Sequence, residues 1–281
     1  MNISTALSSG AEILQQAEIA ESRREAASLL AFVLQKDAAF LIAHPEFEMS
    51  ADEAGRFEQY LNRRANHEPF QYIAGWQEFY GLDFEVSPDV LIPRPETEIL
   101  VEQAINILSQ IESPHFFEIG VGSGCISVSI LANVTYATAV GVDISENALA
   151  VARSNAEKHN VDQRLKLQQA DLFTGLEQRF DLIVSNPPYI PGCHLDSLQA
   201  EVREFEPHLA LDGGEDGLDA IKRIIGEAPH FLGSNGVLLL EIGFDQASKI
   251  REFFDPHIWA KPEFLPDLQG IARVVKIKKN L

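Results

Sequence analysis

His115-Phe-Phe-Glu-Ile-Gly-Val-Gly-Ser-Gly-Cys-Ile-Ser-Val-Ser-Ile-Leu-Ala132 decides the fold. Its first five residues form a short, mostly apolar run of strand length. Glycines 120, 122 and 124 then break the pattern, and an apolar helix runs on to about Ala132. A strand, a glycine turn and a helix make the opening half of a βαβ unit. The same alternation continues downstream: a strand over 137–142 ending at Asp143, a helix capped by Ser145 and running to about His159, and a strand over 165–169 ending near Asp171. Another strand follows over 180–185, then a helix over 217–231, a strand over 236–242, a helix over 246–254 and a last strand over 272–277. A helix over 96–111 precedes the series. Repeated strand–helix units predict an α/β fold with a mostly parallel sheet and helices on both faces. Ligands in such sheets bind beyond the carboxyl ends of the strands, where the strand order reverses. Gly120 to Gly124, Asp143, Asp171 and Asn186-Pro-Pro-Tyr189 all fall at strand carboxyl ends.

Upstream, residues 1–74 read as a small helical bundle. Ala11, Ile13, Leu14 and Ala17 give one apolar face, and Phe57, Tyr60 and Leu61 another, with Ser50 as a plausible N-cap. Residues 75–95 read as a β-hairpin linker: Phe79 to Val86 alternates, Ser87-Pro-Asp89 signals a turn, and Val90-Leu-Ile92 supplies the return strand. The expected organisation is therefore 1–74, 75–95 and 96–281.

The chain has 281 residues, 46% of them hydrophobic and 23% charged, enough for a sizeable core. A net charge of −20 argues against a broad nucleic-acid surface, which needs clustered Lys and Arg. A basic protein partner or a small cationic ligand suits it better, and solubility alone suits it equally. Two cysteines, Cys125 and Cys193, form no disulfide framework and fit a reducing compartment. No basic segment precedes an apolar run at the N-terminus, and no apolar stretch approaches the ~18 residues of a membrane span. A cytoplasmic location without membrane attachment is expected. Eight histidines are scattered, and Cys193-His194 has no second ligand pair at metal spacing, so no metal is expected.

The glycine loop, Gly120, Val121, Gly122, Ser123 and Gly124, has the spacing G-x-G-x-G. The dinucleotide fingerprint would place its third glycine at position 125, where Cys125 stands. The tighter spacing suits a nucleoside with an amino-acid tail, as in S-adenosylmethionine; a purely structural turn has the same look. Asp143 can accept both ribose hydroxyls, or is an ordinary helix-capping carboxylate beside Ser145, which already fills that role. Asp171 and Leu172 stand where an adenine amino group and ring face would lie, or are a surface carboxylate beside a core leucine. Asn186 and the Pro187 carbonyl are two acceptors held by fixed proline φ angles, and Tyr189 offers a flat face. Together they suit a planar –NH2 group, as a primary amide or an exocyclic amine. Arg94, between two prolines at a helix start where a cation opposes the dipole, reads either as a site residue or as a surface partner of Glu96 or Glu98.

Taken as a set, the glycine loop, the acidic second-strand end and Asn186-Pro-Pro-Tyr189 resemble an amino-methyltransferase of the seven-stranded class. Glu68-Pro-Phe-Gln-Tyr-Ile-Ala-Gly75, Phe79-Tyr-Gly-Leu82, Leu91-Ile-Pro-Arg-Pro-Glu-Thr-Glu98 and the stretch from Glu204 to Gly217 extend the likeness to the HemK/PrmC family over nearly the whole chain. The resemblance implies a seven-stranded Rossmann-like sheet and S-adenosylmethionine as methyl donor. It implies class I peptide chain release factors as protein substrate, methylated on the glutamine of their Gly-Gly-Gln motif. It further implies that Gly120 to Gly124, Asp143, Leu172 and Asn186 contact the cofactor, and that Asn186, Pro187, Pro188 and Tyr189 hold the glutamine. Glu118 departs from the family's usual aspartate, and a bulkier aromatic can occupy the place where Leu172 stands. A ribosomal-protein glutamine and an adenine of DNA are the rival substrates that share Asn-Pro-Pro-Tyr chemistry.

Overall fold

The structure, a computed structural model, describes residues 1–280; Leu281, the last residue of the expected 96–281 domain, lies outside them. The helices in chain order are α1 (Ile3–Gln16), α2 (Ser22–Leu34), α3 (Ala38–Ala43), α4 (Ala51–Ala65), α5 (Phe70–Ala74), α6 (Glu98–Leu108), α7 (Cys125–Asn133), α8 (Glu146–Lys158), α9 (Ala200–Phe205), α10 (Asp219–Phe231) and α11 (Ala247–Arg251). The strands are β1 (Trp76–Phe79), β2 (Leu82–Glu85), β3 (His115–Ile119), β4 (Thr138–Asp143), β5 (Leu165–Gln169), β6 (Phe180–Ser185), β7 (Leu232–Glu241), β8 (Glu263–Pro266) and β9 (Ala272–Lys278). The chain divides into two compact units: Met1–Gly75 with Gln199–Phe205, and the remainder.

The first unit is helical. Ile3, Leu14, Leu29, Leu30, Phe57 and Leu61 form its core. Ser50 caps α4 as expected, in a reciprocal capping box with Glu53 that satisfies two otherwise orphaned N–H groups. Buried Arg64 donates to Glu25 at 2.8 Å and to Glu201 at 2.7 Å, so α9 folds with this unit although its sequence lies far downstream.

In the second unit the hairpin comes one element earlier than its turn signal suggested. β1 and β2 pair antiparallel around Tyr80 and Gly81, both left-handed (φ 51° and 74°), the conformation of a two-residue hairpin turn. The expected return strand Val90–Ile92 is a loop instead. Val90 and Ile92 are buried, and their N–H groups go to the Ser87 carbonyl and the Glu206 carboxylate rather than to a neighbouring strand.

The large sheet has strand order β5-β4-β3-β6-β7-β9-β8. Pairings from β5 to β7 are parallel; β9 runs antiparallel between β7 and β8. β8 is the seventh strand, for which the pattern assigned no segment. It is four residues long, lies at the edge and ends in Pro266, all marks of an edge strand with little sequence signal. Core residues cover both faces: Phe116, Leu182, Val184 and Leu239 on one, Phe117, Ile183, Leu238 and Ile224 on the other. The order reverses between β3 and β6, which opens a crevice at their carboxyl ends. Among the described residues no helix is long and apolar enough to cross a membrane.

Candidate active site

At that switch point lies a cavity of about 380 Å³. It is walled by the loop after β3, the ends of β4 and β5, the segment after β6 and the stretch leading into α6. Gly120, Val121, Gly122, Ser123, Asp143, Asp171, Leu172, Asn186, Pro187, Pro188 and Arg94 all line it. Gly124 and Tyr189 are not among the lining residues.

The glycines explain the loop. Gly120 (φ 72°) and Gly122 (φ 54°) adopt left-handed conformations, and a Cβ at either would meet nothing within 4 Å. The loop therefore leaves unfilled space beside its backbone. Gly124 (φ 82°) serves packing: a Cβ there would stand 3.3 Å from Ala152 of α8. Asp143 holds the loop by accepting from Gly122 N at 2.9 Å with one carboxylate oxygen and from Ser145 N at 2.9 Å with the other. Each oxygen keeps a further lone pair.

Just before the loop, Glu118 is fully buried. One of its oxygens accepts from both the N–H and the hydroxyl of Ser127; the other has no partner among the described residues. Burial pushes its carboxyl up to about 8, against the pull of the Ser127 hydrogen bonds and with a smaller push from Asp143.

Asp171 is paired through both oxygens with Arg223 of α10, at 2.9 and 3.2 Å. Arg223 also lines the cavity, and no local pattern in the sequence marked it. Arg94 pairs with neither Glu96 nor Glu98. It donates to the buried Glu206, whose other oxygen accepts from Ile92 N at 3.3 Å. A carboxylate 112 residues downstream took the partnership that proximity in sequence suggested for its neighbours.

The segment after β6 is held from behind. Asn186 Nδ2 donates to Thr97 Oγ1 at 3.2 Å, and Thr97 donates to Glu241 at 2.6 Å. The Tyr189 hydroxyl reaches the other oxygen of Glu241 at 3.3 Å, and its ring packs against the core. Burial and the adjacent Glu241 raise the Tyr189 hydroxyl's pKa. Gln246 Nε2 donates to the Tyr189 carbonyl. Neither Asn186 Oδ1 nor the Pro187 carbonyl has a donor among the described residues. Two acceptors thus remain on cavity-lining residues, while the Asn186 NH2 is tied to Thr97. Among the described residues there is no group of three or more His, Cys, Asp or Glu placed to hold a metal ion.

A mixed sheet in this order, with its cavity at the switch point beside a glycine loop, defines the S-adenosylmethionine-dependent methyltransferases. Residues 96–214 match the methyltransferase small domain and residues 5–75 the PrmC N-terminal domain. The solved structure of a methyltransferase from Pyrococcus furiosus has the same fold, with a TM-score of 0.56 at 20% identity, covering 78% of this chain and 99% of that one. The release factor glutamine methyltransferase of Koribacter versatilis is 40% identical over 281 residues, covering 99% of both chains. That of Geobacter sulfurreducens is 43% identical over 266 residues, covering 93% of this chain and 91% of its own. The chain belongs to the release factor glutamine methyltransferase family.

Proposed function

We propose that the protein transfers the methyl group of S-adenosylmethionine to the side-chain amide nitrogen of the glutamine in the Gly-Gly-Gln motif of class I peptide chain release factors. The observation that carries the site assignment is the pair of free acceptors, Asn186 Oδ1 and Pro187 O, on a segment anchored at Thr97, Glu241 and Gln246.

The cavity fits the donor. Its volume suits a ligand of that size, and the Gly120–Ser123 backbone leaves room for close approach. Asp143 keeps lone pairs for the two ribose hydroxyls. Leu172 would cover a base face, and Asp171, paired with Arg223, would meet the base edge. When bound, the donor supplies an electrophilic methyl on a positively charged sulfur.

The remaining work falls to the chain. An amide nitrogen is a weak nucleophile because its lone pair is delocalised into the carbonyl. Asn186 Oδ1 and Pro187 O take the two amide hydrogens and aim the nitrogen at the methyl carbon. As the N–C bond forms and the C–S bond breaks, positive charge grows on nitrogen, and fixed acceptors stabilise it without reorganising. Neither acceptor is basic enough to take the proton, which leaves to solvent once the nitrogen is cationic. Alignment of this kind supplies up to about 7–11 kcal/mol in favourable cases. Tyr189 holds the far side of the segment through Glu241 and the core, so its part in gripping the glutamine is exercised from behind the cavity wall.

The helical unit is the docking element for the protein substrate. The net charge of −20 suits a partner with a basic surface, acting in the cytoplasm without contact to nucleic acid or membrane. The test is incubation with isotopically labelled methyl donor and, separately, a class I release factor, a ribosomal protein and duplex DNA. Label on the release factor glutamine is expected; label on the ribosomal protein or the DNA alone contradicts the proposal.

A further inference from the structure

Asn186 and Thr97 in the cavity wall and Glu241 behind them form a chain of polar side chains whose direction is fixed by chemistry. Glu241 ends β7 and Thr97 immediately precedes α6; each is only 2% exposed. Thr97 Oγ1 lies 2.6 Å from one Glu241 oxygen and 3.2 Å from Asn186 Nδ2. Above its raised pKa of about 7 Glu241 is ionised and only accepts, and a hydroxyl has one hydrogen to give. That hydrogen goes to Glu241, so toward Asn186 the Thr97 oxygen offers nothing but lone pairs. Asn186 must then present its NH2 to Thr97. The reverse arrangement would set the amide oxygen against another acceptor, inside a buried network where an unmade hydrogen bond is costly.

We propose that Thr97 and Glu241 are positioning residues that set the orientation of the Asn186 side-chain amide, turning its oxygen rather than its NH2 toward the substrate. The inference rests on the site reading above and deepens it. An asparagine amide has nearly the same shape either way round. Left free, it would present the NH2 group about as readily, and two NH2 groups facing one another cannot pair. The glutamine would then lose one of its two acceptors and the aim of its nitrogen. The other Glu241 oxygen accepts from the Tyr189 hydroxyl at 3.3 Å, so one buried carboxylate anchors both ends of the Asn-Pro-Pro-Tyr segment. Glu241 lies behind the cavity wall, and the Thr97 hydroxyl, though at that wall, is taken up by Glu241 and Asn186. Thr97 and Glu241 act through Asn186.

The test compares Thr97→Val, which keeps shape and loses the hydroxyl, with Thr97→Ser, which keeps the hydroxyl. Each is made in the wild type and in Asn186→Ala, and assayed at about pH 8.5, where Glu241 is ionised, with the full chain, S-adenosylmethionine and a class I release factor. Thr97→Val is expected to lower kcat about 10- to 100-fold. The donor Kd and the release factor KM should change little, and Thr97→Ser should recover most of the loss. In the Asn186→Ala background Thr97→Val should cost nothing more, because the group it orients is gone. Glu241→Gln is the second variant, of equal volume: its amide can donate to Thr97 as well as accept, so it no longer dictates direction. It should lose less in Asn186→Ala than in the wild type. Near-normal turnover of folded Thr97→Val beside an impaired Asn186→Ala overturns the inference alone, and so do penalties that multiply in the double variants. An unimpaired Asn186→Ala overturns the reading of the site and the inference with it.

Discussion

The side-chain amide of Gln246 donates to the carbonyl oxygen of Tyr189 at 2.9 Å and to that of Gly217 at 3.0 Å. Its own oxygen accepts from Gly243 N at 2.8 Å. One buried glutamine thereby closes three backbone groups from three segments and fixes where the Asn-Pro-Pro-Tyr turn ends. Gln246→Ala leaves two carbonyls and an N–H unpaired in the interior. The expected cost is about 1–3 kcal/mol of stability, read by urea denaturation, together with a lower kcat as the turn loosens. A variant as stable and as active as the wild type would show that the clamp is idle.

Gly217 is the partner that admits this contact. Its φ is 74°, and any Cβ would collide with the Tyr189 carbonyl oxygen. Gly217→Ala therefore combines left-handed strain with overpacking. It should destabilise the protein by at least about 2 kcal/mol, and Gly217→Asn should not rescue it, because asparagine tolerates the φ but not the collision. Thermal and urea unfolding of the two variants decide this.

Asp143 serves two purposes in the proposed site. It accepts from Gly122 N and Ser145 N, and in the proposed assignment its free lone pairs would accept from the donor's ribose hydroxyls. Charge-assisted hydrogen bonds are worth about 1.5–3 kcal/mol each, so Asp143→Ala should weaken donor binding by about 10- to 100-fold or more. Asp143→Asn keeps one acceptor and should fall between. Calorimetric titration with S-adenosylmethionine measures both; an Asp143→Ala isotherm matching the wild type would contradict the ribose assignment.

Two buried carboxyls give the donor-free protein a characteristic pH response. Burial pushes Glu118 up to about 8 and Glu241 up to about 7, both from an ordinary value of 4.5. Between the ordinary and the folded values, the folded state holds protons that the unfolded chain has released. Stability contributed by these groups is therefore full at low pH and is lost as pH rises through 7 and 8. Glu53, Asp216 and Asp267 have lowered pKa values, and their contributions are lost only as pH falls into the acid range. Unfolding free energy should thus decline from about pH 5.5 to about pH 8.5, and Glu118→Gln should flatten much of that slope. Denaturation at a series of pH values shows whether it does.

Much of this architecture was legible in the chain, and the parts that were not have physical reasons. Strand, glycine loop and helix over residues 115–133 could be read because period and glycine placement are local signals. β6 could be read to the residue, since an apolar run meets two prolines. The turn at Tyr80-Gly81 was masked by the stronger-looking Ser87-Pro-Asp89. β8 carries almost no alternation and leans on β9 for its definition. Above all, the partners of the site residues are long-range: Glu241 for Thr97, Glu206 for Arg94, Arg223 for Asp171, Gln246 for Tyr189. Sequence placed the residues that face the cavity at strand ends. Only the fold reveals what holds them, because those contacts join segments separated by tens of residues or more.

The central claim is that Asn186 and Pro187 grip the substrate amide and aim its nitrogen, while donor binding rests mainly on the glycine loop and Asp143. It is tested most directly by measuring kcat and donor Kd for Asn186→Ala side by side, with the release factor glutamine scored by peptide mass spectrometry. The account predicts a fall in kcat of about 10²- to 10³-fold with donor binding weakened only modestly. Turnover close to wild type, or a loss wholly recovered by raising the donor concentration, would contradict it.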